Sequence, residues 1–346
     1  MLGFLKANKV ASPAPQKPAK TPIAAFGKLP IRADFIKLNV KEREFRELDE
    51  WIQEGYSLIS RRYNGSDDEQ RLSQAGVHHL VFSATDNRRC VLATIGPGGD
   101  RSGRWYPFLI SAVAGQAYLR QAQAAVPLIY ARFLDDSHKV LKQKWGTEPL
   151  ETLLGQLETI ASECDQAQRA QAVEQELGLL RSTNVVVMHE LASQFGEPVA
   201  FYQAAIELIS NVMRRGPARV HWGVRLPIPA GEHGMAGLVF WLRLLDSLLG
   251  RSSQANVIWH WGDTAPETDA QDISALPGEV TVFFRRVPAS YLPHLFDRQL
   301  RDGNVQSLQE LLDNPLAPTQ RARDLAALEQ GTLLDLLSRF VSGGWA

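Results

Sequence analysis

Three apolar runs follow one another between His78 and Gly115, and no other feature constrains the fold of this chain as tightly. "HHLVFSATD" and "RRCVLATIGPG" flank a turn at Asp86-Asn87, and "RWYPFLISAVAG" adds a third run whose apolar character is continuous. Short runs rich in β-branched and aromatic residues, separated by turn residues, predict an antiparallel ribbon. The segment "GPGGDRSGRWYP", Gly96 to Pro107, then joins the second strand of the ribbon to the third.

Helical periodicity surrounds the ribbon. "FRELDEWIQEGYSLISRRY" sets Phe45, Leu48, Trp51, Ile52, Tyr56, Ile59 and Tyr63 at near-helical spacing, an amphipathic helix of about five turns. Upstream of it, "IAAFGKLP" reads as a short strand broken by Gly27 and Pro30, and "IRADFIKLNV" as a loop with a second extended piece. Gln116 to Trp145 is helical with a break at Pro127, and "LETLLGQLETI" carries a leucine stripe. The Gln- and Ala-rich "SECDQAQRAQAVEQELG" reads as an exposed helix or connector, and as the place where subdomains would meet.

Strand and helix alternate in the second half. "NVVVMHE", "ARVHWGVRLPI", "ANVIWHWGD" and "GEVTVFFRRV" read as strands, with helices over "VAFYQAAIELISNVMRR" and "GMAGLVFWLRLLDSLLG". From Pro288 onward the pattern is mostly short amphipathic helices, clearest in "LQELLDNP" and "TLLDLLSRFV". The expected fold class is α/β, in a mixed α+β arrangement of partly antiparallel sheets packed by amphipathic helices, with division into two subdomains left open. The expected organisation is a Pro/Ala/Lys-rich tail over 1–21, an N-terminal α/β region over 22–165, a second over 180–290, and C-terminal helices over 291–346.

Composition enters through what it excludes. The chain has 346 residues with 45% hydrophobic residues, enough for a sizeable core, and its 37 basic residues nearly cancel 38 acidic ones. A net charge of −1 supplies no overall attraction to nucleic acid or to an anionic membrane surface. Cys90 and Cys164 form no CxxC pair, which fits a reducing compartment, so the cytoplasm is the expected location. "MLGFL" is too short for a signal-peptide core, and no apolar run of about 18 residues suggests a membrane span.

The glycines of the Gly96–Pro107 segment invite a phosphate-cradle reading. Neither GxGxxG nor GxxxxGK[ST] is present, however, and a strand follows where a phosphate site needs a helix N-terminus. A wide turn whose glycines supply positive φ is the favoured alternative. Asp100, Arg101 and Arg104 can form a charge-assisted cluster within the turn, or Arg104 can reach Asp34. Such clusters are more often structural than catalytic.

The histidines give no metal spacing. His78 and His79 are adjacent and point to opposite faces of a strand, "HELAS" at His189 lacks the second histidine of HExxH, and His221, His233 and His260 are scattered. No GxSxG nucleophile elbow occurs. Trp259 and Trp261 share a strand face, which expects a core role for at least one of them, with Trp222 nearby and a partner surface as the alternative.

Several ordered blocks carry a resemblance. A Gly-Lys-Leu-Pro turn (Gly27, Lys28, Pro30), an Asp-Phe pair (Asp34, Phe35), a helix around Trp51, and an Asp-Arg-x-Gly-Arg-aromatic-Pro turn (Asp100, Arg101, Gly103, Arg104, Trp105, Pro107) resemble the N-terminal blocks of the TagF/ImpM family of bacterial type VI secretion. Ala33 stands where that family usually has glycine, and Gly98-Gly99 where it has Pro-Ser. The resemblance covers roughly residues 22 to 290. It implies a cytoplasmic, non-enzymatic accessory protein that represses the secretion machine after translation by binding a forkhead-associated scaffold protein, with no cofactor or metal and no membrane insertion.

On that reading the Gly96–Pro107 turn is structural. Asp100, Arg101 and Arg104 fix its geometry, Trp105 and Tyr106 pack on either side of the strand, and its exposed rim contributes to the partner surface. The competing expectation is a hydrolase or nucleotide-dependent enzyme with a polar site at Asp34 and the Asp100–Arg104 loop.

Overall fold

The computed structural model describes residues 22–63, 72, 75–83, 89–115, 123–162, 166–250, 256–262, 277–298 and 300–343. The expected tail, the Asp86-Asn87 turn and Cys164 lie outside them. The expected α/β class holds: helices cover the faces of one mostly antiparallel sheet of nine strands among the described residues.

The strands are β1 (Ala24–Gly27), β2 (Ile36–Leu38), β3 (His78–Ser83), β4 (Arg89–Gly96), β5 (Phe108–Gly115), β6 (Gly223–Ile228), β7 (Asn256–His260), β8 (Gly278–Phe283) and β9 (Val305–Ser307). Their order across the sheet is β2-β1-β5-β4-β3-β7-β8-β6-β9. The predicted ribbon is β3-β4-β5, with Ile95 opposite both His78 and Leu109. All pairs are antiparallel except β6 with β9.

The pairing of β3 with β7 joins the two halves of the chain, His79 lying opposite Trp259. The N-terminal and second α/β regions thus give strands to one hydrogen-bonded sheet.

Alternation at period two sends neighbouring residues to opposite cores. Ala24, Phe26, Leu80, Phe82, Val91, Ala93, Leu109 and Ile258 face one cluster. Ala25, Val81, Cys90, Leu92, Ile110, Val257 and Trp259 face the other. Because both faces are covered, the strands read as nearly continuous apolar runs. Full burial of each large side chain contributes about 1.5–3 kcal/mol, and Phe26, Phe82 and Phe108 are each almost fully buried.

One face is covered by α1 (Arg43–Arg62) and, later in the chain, by the short helix Leu292–Phe296. Phe45, Leu48, Trp51, Ile52 and Ile59 form the buried stripe of α1, as its spacing predicts. Arg89 of β4 grips α1 through both carboxylate oxygens of Glu44, at 2.7 and 2.8 Å.

Across the other face lie α2 (Val126–Ile129), α3 (Ala131–Lys142), α4 (Leu150–Thr159), α5 (Gln166–Ser182), α6 (Val186–Ser193), α7 (Pro198–Arg215) and α8 (Gly234–Leu249). After α9 (Leu292–Phe296) come α10 (Leu308–Asp313), α11 (Gln320–Ala326) and α12 (Leu333–Ser342). Capping boxes start α10 at Ser307 and α12 at Thr332.

Two sequence expectations need correction. "NVVVMHE" is helix α6 rather than a strand: Asn184 Oδ1 accepts the Val186 N–H at 2.9 Å and opens the turn, and Met188 N–H donates to Val185 O. The Gln- and Ala-rich stretch forms most of α5, a largely exposed helix as the sequence reading allows, anchored by buried Ala172 and by buried Glu176, which pairs with Arg243 of α8 at 2.5 Å. Strand β9, only three residues long, sits within a segment expected to be helical.

Candidate functional site

Most of the singled-out residues meet at one end of the sheet, where the β1–β2 connection crosses the β4–β5 turn. Gly27, at φ +127°, ends β1, and a side chain there would collide with the carbonyl of Pro107. That close approach lays Lys28 and Leu29 alongside the turn. Lys28 is buried, and its Nζ lies 3.1 Å from Oδ2 of Asp100.

Asp100 organises the turn. Its Oδ1 accepts the Ser102 N–H at 3.0 Å, the Ser102 hydroxyl at 2.7 Å and the Arg104 N–H at 3.0 Å. Its Oδ2 accepts Arg104 Nε at 2.7 Å as well as the Lys28 ammonium. These donors, the Ser102 hydroxyl foremost, hold the carboxyl well below the usual carboxylate range. The side chain is fully buried, so the charge is compensated inside the loop.

The turn is stitched to the β1–β2 connection by backbone acceptors. Arg101 donates its N–H to Arg32 O at 2.9 Å and a guanidinium N–H to Ile31 O at 2.9 Å. Arg104 donates from Nη2 to Ala33 O at 2.9 Å. Of the two expected partners for Arg104 the structure selects Asp100; Asp34 is exposed, and its Oδ1 accepts the N–H of Phe35 at 2.7 Å.

The glycines play different parts from those expected. Within the turn only Gly103 has positive φ, at +82°. Gly98 is required by crowding: a Cβ there would collide with Lys28 O and lie 2.6 Å from Tyr106 O. Gly98 O also accepts the N–H of Tyr106 at 3.0 Å.

Trp105 and Tyr106 do not straddle the strand. Both are buried on the α1 face, because they precede β5 and its alternation does not bind them. Tyr56 of α1 stacks on Trp105 at 5.7 Å and contacts Tyr106 at 4.6 Å, and its hydroxyl donates to Trp105 O at 3.0 Å. Phe296 meets Trp105 edge-on at 4.9 Å. Burial pushes the Tyr106 hydroxyl pKa upward, aided by Asp49 and Tyr56.

Phe35 stands at the rim. It is 44% exposed, packs edge-on against Tyr106 at 4.8 Å, and carries the Lys28 ammonium 4.9 Å from its ring centre. Pro30 lies in the turn before it, half-buried. Trp51 is apart from this group: it is buried against Phe82, 5.9 Å between ring centres, and belongs to the α1–sheet core. Sequence reasoning missed Tyr56, Ser102 and Phe296; the aromatic position at 56 on the buried side of α1 was visible, but its partner was not.

The histidines are spread over both faces, as their adjacency in β3 requires. His78 Nε2 lies 2.6 Å from Leu295 O on the α1 side, whereas His79 Nδ1 lies 3.2 Å from Thr94 Oγ1 and its ring stacks on His138. Burial, with the His138 and His260 rings nearby, pulls the His79 pKa down to about 3. Trp259 is buried against His79 and Trp261 is half-buried beside it, so the pair shares a face as predicted. Among the described residues no three His, Cys, Asp or Glu side chains group as a metal site.

This arrangement is a sheet-end platform whose charged centre is internally neutralised and whose rim is basic and aromatic. Residues 24–175 match the model of the TagF N-terminal domain, described as type VI secretion system-associated. No curated protein matches the chain. Among solved structures it is similar to PA0076 from Pseudomonas aeruginosa PAO1, with 12% identity, 81% of this chain and 96% of that chain covered, and a TM-score of 0.44. No helix among the described residues is long and apolar enough to cross a membrane.

Proposed function

We propose that this protein regulates the type VI secretion machine after translation, repressing its assembly or firing by binding a forkhead-associated scaffold protein in the cytoplasm. The observation that carries the reading is the condition of Asp100. Five donors from Lys28, Ser102 and Arg104 occupy its two oxygens, so the carboxylate serves loop geometry and is not poised to move a proton. Around it Arg101, Arg104 and Phe35 face solvent, and arginine with aromatic side chains is the composition that protein contacts favour. The match to the TagF N-terminal domain model supports the association with the secretion system.

An enzyme built on Asp34, Asp100, Arg101 and Arg104 has less support. General acid–base work needs two carboxyl groups with different proton affinities facing one cleft. Here Asp100 is buried and saturated, and Asp34 caps its own loop at the surface. The test is a pull-down of the purified chain against the cytoplasmic components of its cognate secretion system, run beside a thermal-shift screen with nucleotides and divalent metals. Retention of the scaffold protein with a flat screen supports the regulator. No retention, with a ligand at a hundred times its Kd stabilising the fold by about 2.7 kcal/mol, supports the enzyme.

A further inference from the structure

We propose that the partner docks as an extended acidic segment laid along the open edge of β2, its carboxylates on Arg32, Arg101 and Arg104 and an apolar side chain in the groove beside Leu38. This rests on the regulator reading above and names the chemistry that its site would accept.

Strand β2 ends the sheet, hydrogen-bonded to β1 on one side only among the described residues. An edge strand of this kind is a template for one more strand. The two ends of β2 offer different chemistry. At the Phe35 end Lys28 and Arg104 pair with Asp100 and Lys37 pairs with Asp49, and with Arg32, Arg101 and Asp34 the segment carries an excess of two positive charges in a chain whose net charge is −1. Arg32, Arg101 and Arg104 are all exposed, and Arg104 is held in place by Asp100 and Ala33 O, so its guanidinium is pre-positioned. Asp100 lies buried beneath them with its charge offset by Lys28 and Arg104, which leaves Arg32 and Arg101 as the surplus.

Beyond Leu38 lies a groove of about 350 Å³ lined by Pro22, Ile23, Leu38, Leu154, Leu157 and Glu158. It suits an aliphatic side chain, and Glu158 at its rim rejects an acidic one. About 10 Å of extended chain separates the two ends at roughly 3.4 Å per residue. The ligand therefore places its apolar residue three or four positions from its carboxylates.

The experiment measures the affinity of the full chain for the purified forkhead-associated scaffold protein by titration calorimetry, at low and high salt. The variants are Arg32→Glu, Phe35→Ser and Leu154→Glu, each with a melting curve to establish folding. All three sit at partly or fully exposed positions, so loss of one to misfolding leaves the others to report. The expected result is saturable binding by the parent chain, weakened at least tenfold by each folded variant and by raised salt. Parent-level binding by the folded variants overturns this docking mode and leaves the regulator reading standing. No binding by the parent chain overturns both. Self-association of the parent that the same substitutions abolish also overturns the proposal, since the face would then belong to a second copy.

Discussion

Lys28 and Asp100 form an ion pair, 3.1 Å between Nζ and Oδ2, with side chains 9% and 0% exposed. It ties the end of β1 to the turn between β4 and β5, and Arg104 of the basic rim is held by the same carboxylate. Removing one partner of a buried pair leaves the other charge uncompensated. Lys28→Met is therefore expected to lower the melting temperature more than Arg104→Ala, whose guanidinium is mostly exposed. Paired melting curves of the two variants check the order.

The same carboxylate sets the acid limit of the fold. Its pKa is depressed in the folded chain, so its contribution is complete above the ordinary carboxylate value of about 3.9 and is lost as pH falls from there toward the folded value. Asp100→Asn is expected to lower stability at pH 7 and to flatten its decline below pH 4. Denaturant melts at pH 7, 4 and 3 measure both effects.

His79 acts in a higher window. It is buried and neutral, with its pKa pulled down to about 3, so below about pH 6.5 the unfolded chain takes up a proton that the folded chain refuses. Stability must fall with falling pH between about 6.5 and 3, by up to about 1.4 kcal/mol per pH unit for this group. His79→Phe is expected to shrink that slope, measured as the folding free energy at pH 7 and pH 5.

Two packing positions give sharper numbers. Phe26 is buried between α1 and the sheet, and Phe26→Ala is expected to cost about 3–5 kcal/mol through the cavity it leaves. Gly98→Ala adds only a methyl group, yet that group meets the backbone carbonyls of Lys28 and Tyr106, so it is expected to cost more than about 1 kcal/mol by overpacking. Urea melts of both variants check the ranking.

These predictions draw unevenly on what the sequence discloses. The ribbon β3-β4-β5 was legible because both faces are buried, so each strand stays apolar along its length. The stripe of α1 was legible for the complementary reason, since only one of its faces is buried. Val185-Val186-Val187 misled because β-branched residues favour strands locally. Tertiary contacts decided instead: Val185 N–H donates to Gly331 O, and Val187 and Met188 pack inward while Val186 faces solvent.

At the site, spacing offered Arg104 both Asp100 and Asp34 without choosing between them, and gave no sign of Lys28 with Asp100, because only the β1–β5 register brings those segments together. The glycines showed that the turn was tight without showing how. Gly103 needs its dihedral angle and Gly98 needs its missing side chain, and the sequence writes both as the same letter.

Secretion itself reads out the proposed repression through the β4–β5 turn and its rim. In a bacterium that exports protein through the cognate type VI system, the measurement is the amount exported when the chain is overproduced, as parent or as Phe35→Ser, with equal accumulation of the two established by immunoblot. The parent chain is expected to lower export sharply, and Phe35→Ser to restore it. Export unchanged or raised by the parent chain, at full accumulation, would contradict the proposed repression.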